Sequence, residues 1–416
     1  MLSHTLRSTW RILMRRKFFT AVSLFGVALT LVVLVVAAAL FDHSFGPHPP
    51  EVYTDRSLGI FGARLSGEGW TTSGGAGGRL LETCARSLPG AEITSFYSSQ
   101  DQEVTYRGGE RVSLWVKRTD GAFWRALRFR FLEGGPFTDA DDAAANAVAV
   151  VNDATRRKLF GDGPGVGKTI RLDGRTFTVV GVVEDVPFLR AIPFSDVWLP
   201  ARTARSDEES RKWVGDMKAL IVARSREDLP GIREEYRRRL AAVDLSAVGL
   251  PAGPRFDRLE SEAETFLEKA ARDLFGRNPH RAALLVAFLS VLALAFMALP
   301  ALNLVNLALS RILERSSEVG VRKAFGATRT RLVLQFVTEN LVLSLAGGAI
   351  GLVLAAGVLV AVNRSGLLPY AQLSVNVRVF LYGLLASCVF GVLSGALPAL
   401  RMSRLHPVEA LRGGPR

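Results

Sequence analysis

Cysteine is nearly absent from this 416-residue sequence: there are two, Cys84 and Cys388. One falls in a stretch of ordinary globular composition and the other in an apolar run. No disulfide framework is implied, and no thiolate cluster for zinc. Histidine is scarce as well. The five, His4, His43, His48, His280 and His406, are scattered, and no H-E-x-x-H occurs. Zinc-hydrolase chemistry therefore has no ligand set. His43 and His48 lie close together beside Pro49-Pro50 and read as surface residues rather than a metal pair. Acids are plentiful, but nothing singles out a pair for acid/base work. A phosphate-binding loop is also lacking. The stretch D-G-P-G-V-G-K-T (162–169) mimics one, yet Asp162 stands where the motif needs glycine, and a strand-like hairpin follows where a helix is required. It reads as a turn. No catalytic residue, metal or cofactor is expected, and the chain is not read as an enzyme.

Long apolar runs are what the sequence does contain. Four are of membrane-spanning length: 18–41, 282–309, 332–362 and 377–400. Hydrophobic residues make up 49%, yet charged residues still reach 22%, which suits spans joined to a soluble domain better than one soluble core. The first run is too long for the apolar core of a cleaved signal peptide, which is usually about 7–15 residues. Residues 1–17 before it set Trp10, Leu13 and Met14 among Arg11, Arg15, Arg16 and Lys17, the pattern of an interfacial amphipathic segment.

The net charge of +13 would point to nucleic acid if it were spread evenly. It is not. Residues 1–17, 310–331 and 401–416 together hold 15 Lys/Arg against three acids, while 42–281 holds 35 of each sign. The excess sits in the three short segments that share one side of a four-span chain, as the positive-inside rule requires. Both termini and the 310–331 loop are therefore expected in the cytoplasm, the 42–281 domain outside, and no nucleic-acid partner.

That domain reads as mixed α/β. Strand patterns at 102–107 and 110–117 flank Gly108-Gly109, and those at 168–172 and 175–183 flank Asp173-Gly174, a dipeptide suited to a type I′ turn. Helical patterns occupy 79–87, 228–243 and 261–275. The last runs on towards the second span, so 261–281 is expected to form a rigid helical stalk. The glycine run 74–78 reads as a flexible loop, with an anion cradle at a helix start as the sharper alternative. Residues 206–212 read as a solvated linker.

Within the spans, Pro300 loosens the second helix, and Asn303 and Asn306 read as hydrogen-bonding glue between helices, with a substrate pathway as the alternative. Gly347 and Gly351 form a G-x-x-x-G in the third span, and Gly391 and Gly395 repeat it in the fourth, allowing close helix approach. Glu339 is an intramembrane carboxylate if the third span begins at Leu332, and an interfacial one if it begins later. In the 310–331 loop, Glu314, Arg315, Glu318, Arg322 and Lys323 alternate in sign at near-helical spacing, while Val319, Val321 and Phe325 supply apolar contact. Arg322, Lys323 and Gly326 suit the C-terminal end of a short helix. Such a helix could seat in a partner's groove.

The stretch R-S-S-E-V-G-V-R-K-A-F-G-A (315–327) resembles the R-x-x-E-I-G-x-R-K-A-x-G-A signature of FtsX-like/MacB-like ABC transporter permeases. E-N-L-V-L-S-L-A-G-G-A-I-G (339–351) and P-A-L-R-M-S-R-L-H-P-V-E-A-L-R (398–412) resemble the segments that follow. F-L-E-G-G-P-F (131–137), A-V-V-N-D-A-T-R-R-K-L-F-G (149–161) and V-G-K-T-I-R-L-D-G-R-T-F-T-V-V-G-V-V (166–183) are similar to the MacB-type periplasmic core domain. Val319 replaces isoleucine, Met402 alanine, and Gly135 a common arginine.

The resemblance implies an α-helical membrane protein of four transmembrane helices, with a large mixed α/β extracytoplasmic domain inserted between helices 1 and 2. That domain would have two lobes, 50–95 plus 215–275 and 96–200. It implies a permease subunit in the bacterial inner membrane that takes its motion from a separate ABC ATPase and pairs with a second permease subunit, with a periplasmic adaptor or envelope protein as a further partner. Glu314, Arg315, Glu318, Val319, Gly320, Arg322, Lys323, Phe325 and Gly326 would form the ATPase-coupling element. Export, or movement of a substrate at the outer face, is the leading function. The alternative is mechanical regulation of an envelope partner such as a cell-wall hydrolase, or lipoprotein extraction. A receptor would end in a signalling domain after its second span, whereas two further runs follow here.

Overall fold

The computed structural model describes residues 17–67, 69–204, 211–247, 256–296 and 328–403. The chain divides into two units. One, helical, comprises 1–42, 285–367 and 372–416; the other, α/β, comprises 43–284 together with Leu368–Ala371.

The α/β unit is built on one twelve-stranded sheet. Its strands are β1 (Ser57–Gly67), β2 (Trp70–Ala76), β3 (Ala91–Arg107), β4 (Glu110–Thr119), β5 (Phe131–Gly134) and β6 (Val148–Asn152). They continue as β7 (Thr169–Leu172), β8 (Arg175–Val183), β9 (Val197–Pro200), β10 (Val214–Gly215), β11 (Met217–Ala223) and β12 (Arg258–Glu264). The order is β10-β2-β1-β11-β3-β4-β9-β6-β8-β5, with β12 on β1 and β7 on β8. The first half of β3 pairs with β11 and the second with β4. That one 17-residue strand therefore links the β11 and β4 parts of the sheet. One core gathers Leu58, Ile60, Leu80, Ile221, Ile232 and Tyr236. A second fills the space among β4, β6, β7, β8 and β9 with Val116, Val151, Ile170, Phe177, Val179 and Leu199. A third is aromatic, around Phe123, Trp124, Phe194 and Trp198.

Local chemistry sets the boundaries. The β3–β4 turn has φ of 56° at Gly108 and 90° at Gly109, and the β7–β8 turn 48° at Asp173 and 77° at Gly174, as type I′ hairpins need. The false phosphate loop is a turn that runs directly into β7. The glycine run 74–78 is not a loop: its first two glycines are strand, Gly77 and Gly78 lead into a short helix, and the amides of Gly77 and Arg79 there donate to the carbonyls of Trp213 and Lys212 rather than standing free for an anion. Gly74 and Gly75 lie in β2, and a Cβ on Gly75 would stand 2.9 Å from the carbonyl oxygens of Gly215 and Met217, so the close approach of strands excludes a side chain there.

The expected stalk is also corrected. Residues 258–264 form an edge strand paired with β1, and only Phe266–Phe275 is helical. Thr265 starts that helix with a capping box: its amide donates to Glu268 Oε2 at 2.7 Å, and its hydroxyl accepts from Glu268 N at 3.2 Å. Gly276 ends it, and a new helix begins at Arg281. The stalk is a strand, a helix and a turn.

The helices used below are α1 (Lys17–Phe45), α2 (Asp153–Phe160), α3 (Leu229–Ala241), α4 (Phe266–Phe275), α5 (Arg281–Phe296), α6 (Arg329–Ser365) and α7 (Val377–Ser403). Among the described residues, Thr20–Phe45 and Val333–Ser365 are long and apolar enough to cross a membrane. The described apolar parts of the other two expected spans, Arg281–Phe296 and Val377–Leu393, are shorter, and 297–309 of the second lies outside the described residues.

Candidate functional site

The nine residues expected to couple to an ATPase, Glu314, Arg315, Glu318, Val319, Gly320, Arg322, Lys323, Phe325 and Gly326, lie outside the described residues, as do Pro300, Asn303 and Asn306. The glycines of the third span are described. A Cβ on Gly347 would stand 2.9 Å from Val27 Cβ and Cγ1, and one on Gly351 3.2 Å from Ala28 Cα and Leu31 Cβ. Both glycines thus face α1. A Cβ on Gly391 of α7 would stand 2.6 Å from Ser344 Oγ of α6. Gly395 lies on α7, its surroundings outside the described side chains. Glu339 is 2% exposed, beside buried Asn340 and Ser344, and accepts from Gln335 Nε2 at 3.1 Å. It is buried within the helical unit.

The α/β unit presents a second group of functional interest, where the chain passes to the helical unit. Three polar clusters hold those places. At the end of α1, Arg190 donates from Nη1 to Glu51 Oε2 and from Nη2 to the Gly46 carbonyl, each at 3.0 Å. Burial pushes the Glu51 carboxyl up, and the Arg190 charge opposes that. Next to Arg190 in the chain, the carbonyls of Ala191, at 3.0 Å, and Ile192 accept from Nζ of buried Lys117. Burial holds the Lys117 ammonium well below its usual range, helped by the like charge of Lys218 and opposed by Glu51.

The second cluster precedes α5. Glu264, 1% exposed, faces Arg272 of α4 at 2.7 Å and Arg281 of α5 at 3.1 Å; Arg281 also pairs with Glu262. Burial raises the Glu264 carboxyl to about 7 even against the two guanidiniums. The third holds Leu368–Ala371, the short piece between α6 and α7 that belongs to this unit. The Tyr370 hydroxyl donates to Asp196 Oδ1 at 2.8 Å, and Phe188 N donates to the Pro369 carbonyl at 3.0 Å. Arg190, Asp196 and Tyr370 carry no motif. The one signal in the sequence is Tyr370 itself, the lone aromatic in the 366–376 segment between two apolar runs.

The MacB-like periplasmic core domain family matches residues 20–239, and the FtsX-like permease C-terminal family matches 290–407. The pyoverdine export ATP-binding/permease protein PvdT of Pseudomonas syringae pv. tomato is 26% identical over 411 residues, covering 98% of this chain and 59% of that protein. The uncharacterized ABC transporter permease YknZ of Bacillus subtilis is 24% identical over 327 residues, covering 79% of this chain and 77% of that one. The macrolide export ATP-binding/permease protein MacB of Chromobacterium violaceum is 29% identical over 315 residues, covering 76% and 45%. The chain thus spans 59% of the length of the PvdT exporter it matches. With the first family covering more than half of its residues and the second following in order, the chain belongs to the ABC transporter permeases that join a MacB-like periplasmic core domain to an FtsX-like permease domain.

Proposed function

We propose that this chain is the four-span transmembrane subunit of an inner-membrane ABC transporter, taking ATP-driven motion from a separate ATPase through residues 314–326 and passing it to its extracytoplasmic domain. Export, or movement of a substrate at the outer face, is the work done. The observation that carries this reading is the order of the two family matches on one chain, with the charged 315–327 stretch inside the second. The glycine contacts of α6 with α1 support it, because helices in such close contact can shift as a rigid group. Coupling requires only that partner binding favour one arrangement of the helices over another. Two such subunits would form the working dimer.

Purification of the full chain from its native membrane tests the reading. Recovery of an ABC ATPase is the expected result. Arg322→Glu and Gly320→Pro should each abolish ATP-driven function while membrane insertion persists. Wild-type coupling in either variant would contradict the assignment.

A further inference from the structure

The β8–β9 loop, residues 184–196, grips two pieces of chain that lead to the helical unit, by contacts of opposite character. Arg190 is 1% exposed, and its hold on Glu51 and Gly46 is that of a fixed anchor: withdrawing either charged partner would leave the other charge buried and unpaired. Leu368–Ala371 is held differently. It is the sole segment beyond Leu284 in the α/β unit, has neither helix nor strand, and is flanked on both sides by residues of the helical unit. Its ties include the Phe188 N to Pro369 carbonyl bond, the Tyr370 hydroxyl's bonds to Asp196 and Asn152, and the Tyr370 ring 6.3 Å from Phe194.

Release leaves the Asp196 carboxylate hydrogen-bonded within the domain. Asp196 Oδ2 still accepts from Trp115 N at 2.9 Å, and Oδ1 from Asn152 Nδ2 at 3.3 Å. Burial and then the Asp196 charge raise the Tyr370 phenol, so it stays a neutral donor and no charge is exposed when it leaves. Tyr370 also sits at φ 57°, a left-handed conformation uncommon for a bulky residue.

We propose that Tyr370 and Asp196 form a releasable latch, closed in one nucleotide state and open in another, while the Arg190–Glu51–Gly46 anchor on the same loop stays closed throughout. The inference rests on the ATP-driven reading above and adds the place where motion between α6 and α7 is handed to the domain.

Two experiments on the full chain, purified with its ATPase, test it. In the first, cysteines replace Phe188 and Pro369, and oxidative cross-linking is compared without nucleotide and with a non-hydrolysable ATP analogue. The yield should differ about fivefold or more between the two states. A control pair at Tyr106 and Arg111, cross-strand partners in β3 and β4, should not change. Equal 188–369 yields in both states, with the ATPase present, would overturn the latch. In the second, Tyr370→Phe keeps the ring and removes the hydroxyl. Without nucleotide, amide exchange at Phe188 should rise about tenfold, while exchange near Arg190 is unchanged. Unchanged exchange at Phe188 overturns the latch whether or not an ATPase is recovered. Failure to recover an ATPase, with exchange accelerated, counts against the permease reading alone.

Discussion

At the residue scale, the buried charges of the α/β unit make opposite demands. Glu264 has Arg272 and Arg281 favouring its charged form, and burial, Glu262 and Glu268 opposing it. Its folded value of about 7 lies above the ordinary 4.5, so the unit binds this proton more tightly folded than unfolded. The resulting stability is fully present below about 4.5 and is lost as pH rises through about 7. Glu264→Gln should remove that component. Thermal unfolding of the purified chain at pH 5 and pH 8 checks it: the wild type should lose several degrees more than the variant, and equal losses would show that Glu264 stays ionised throughout. Arg190 makes a sharper case. Arg190→Met alone leaves the Glu51 carboxylate buried, and a cost of about 3–5 kcal/mol is expected. Arg190→Met with Glu51→Leu should recover most of that loss, as read by denaturant unfolding of the same domain signal.

At the element scale, α6 carries its own control. A side chain at Gly347 meets Val27, whereas nothing lies within 4 Å of a Cβ at Gly357 on the same helix. Gly347→Leu should cost about 1–3 kcal/mol by overpacking, seen as a lower temperature of aggregation in detergent, and Gly357→Leu should leave that temperature unchanged. Equal effects would mean that helix propensity, not contact with α1, decides.

The hairpins were legible because Gly108-Gly109 and Asp173-Gly174 demand left-handed backbone, which few other residues tolerate. The strand β12 was legible too and was misread. Leu259, Ser261 and Ala263 alternate with Glu260, Glu262 and Glu264, a period of two that the helix-forming glutamates mask. The glycines of β2 were misread for a different reason: composition suggests a loop, and only the crowding by Gly215 and Met217 shows why side chains are excluded. Arg190 meets Glu51 across 139 residues and Tyr370 meets Asp196 across 174, and no local pattern announces such partners.

At the scale of the whole molecule, the proposed function has the helical unit take motion from a partner ATPase and the α/β unit respond to it. In that proposal the 184–196 loop carries one fixed and one releasable grip. Changes at residues 314–326 should then register in the 366–372 segment, where the chain crosses between the units, and in the 184–196 loop, which is hydrogen-bonded to that segment.

Hydrogen exchange on the full chain with its co-purified ATPase measures this directly, with and without ATP analogue, in the wild type and in Arg322→Glu. The wild type should show nucleotide-dependent protection at 184–196 and 366–372, and Arg322→Glu should abolish it while leaving protection in β3, β4 and β8 intact. Identical exchange in both nucleotide states of the wild type, or an undiminished response in Arg322→Glu, would contradict the claim that this chain carries ATP-driven motion to its outer domain.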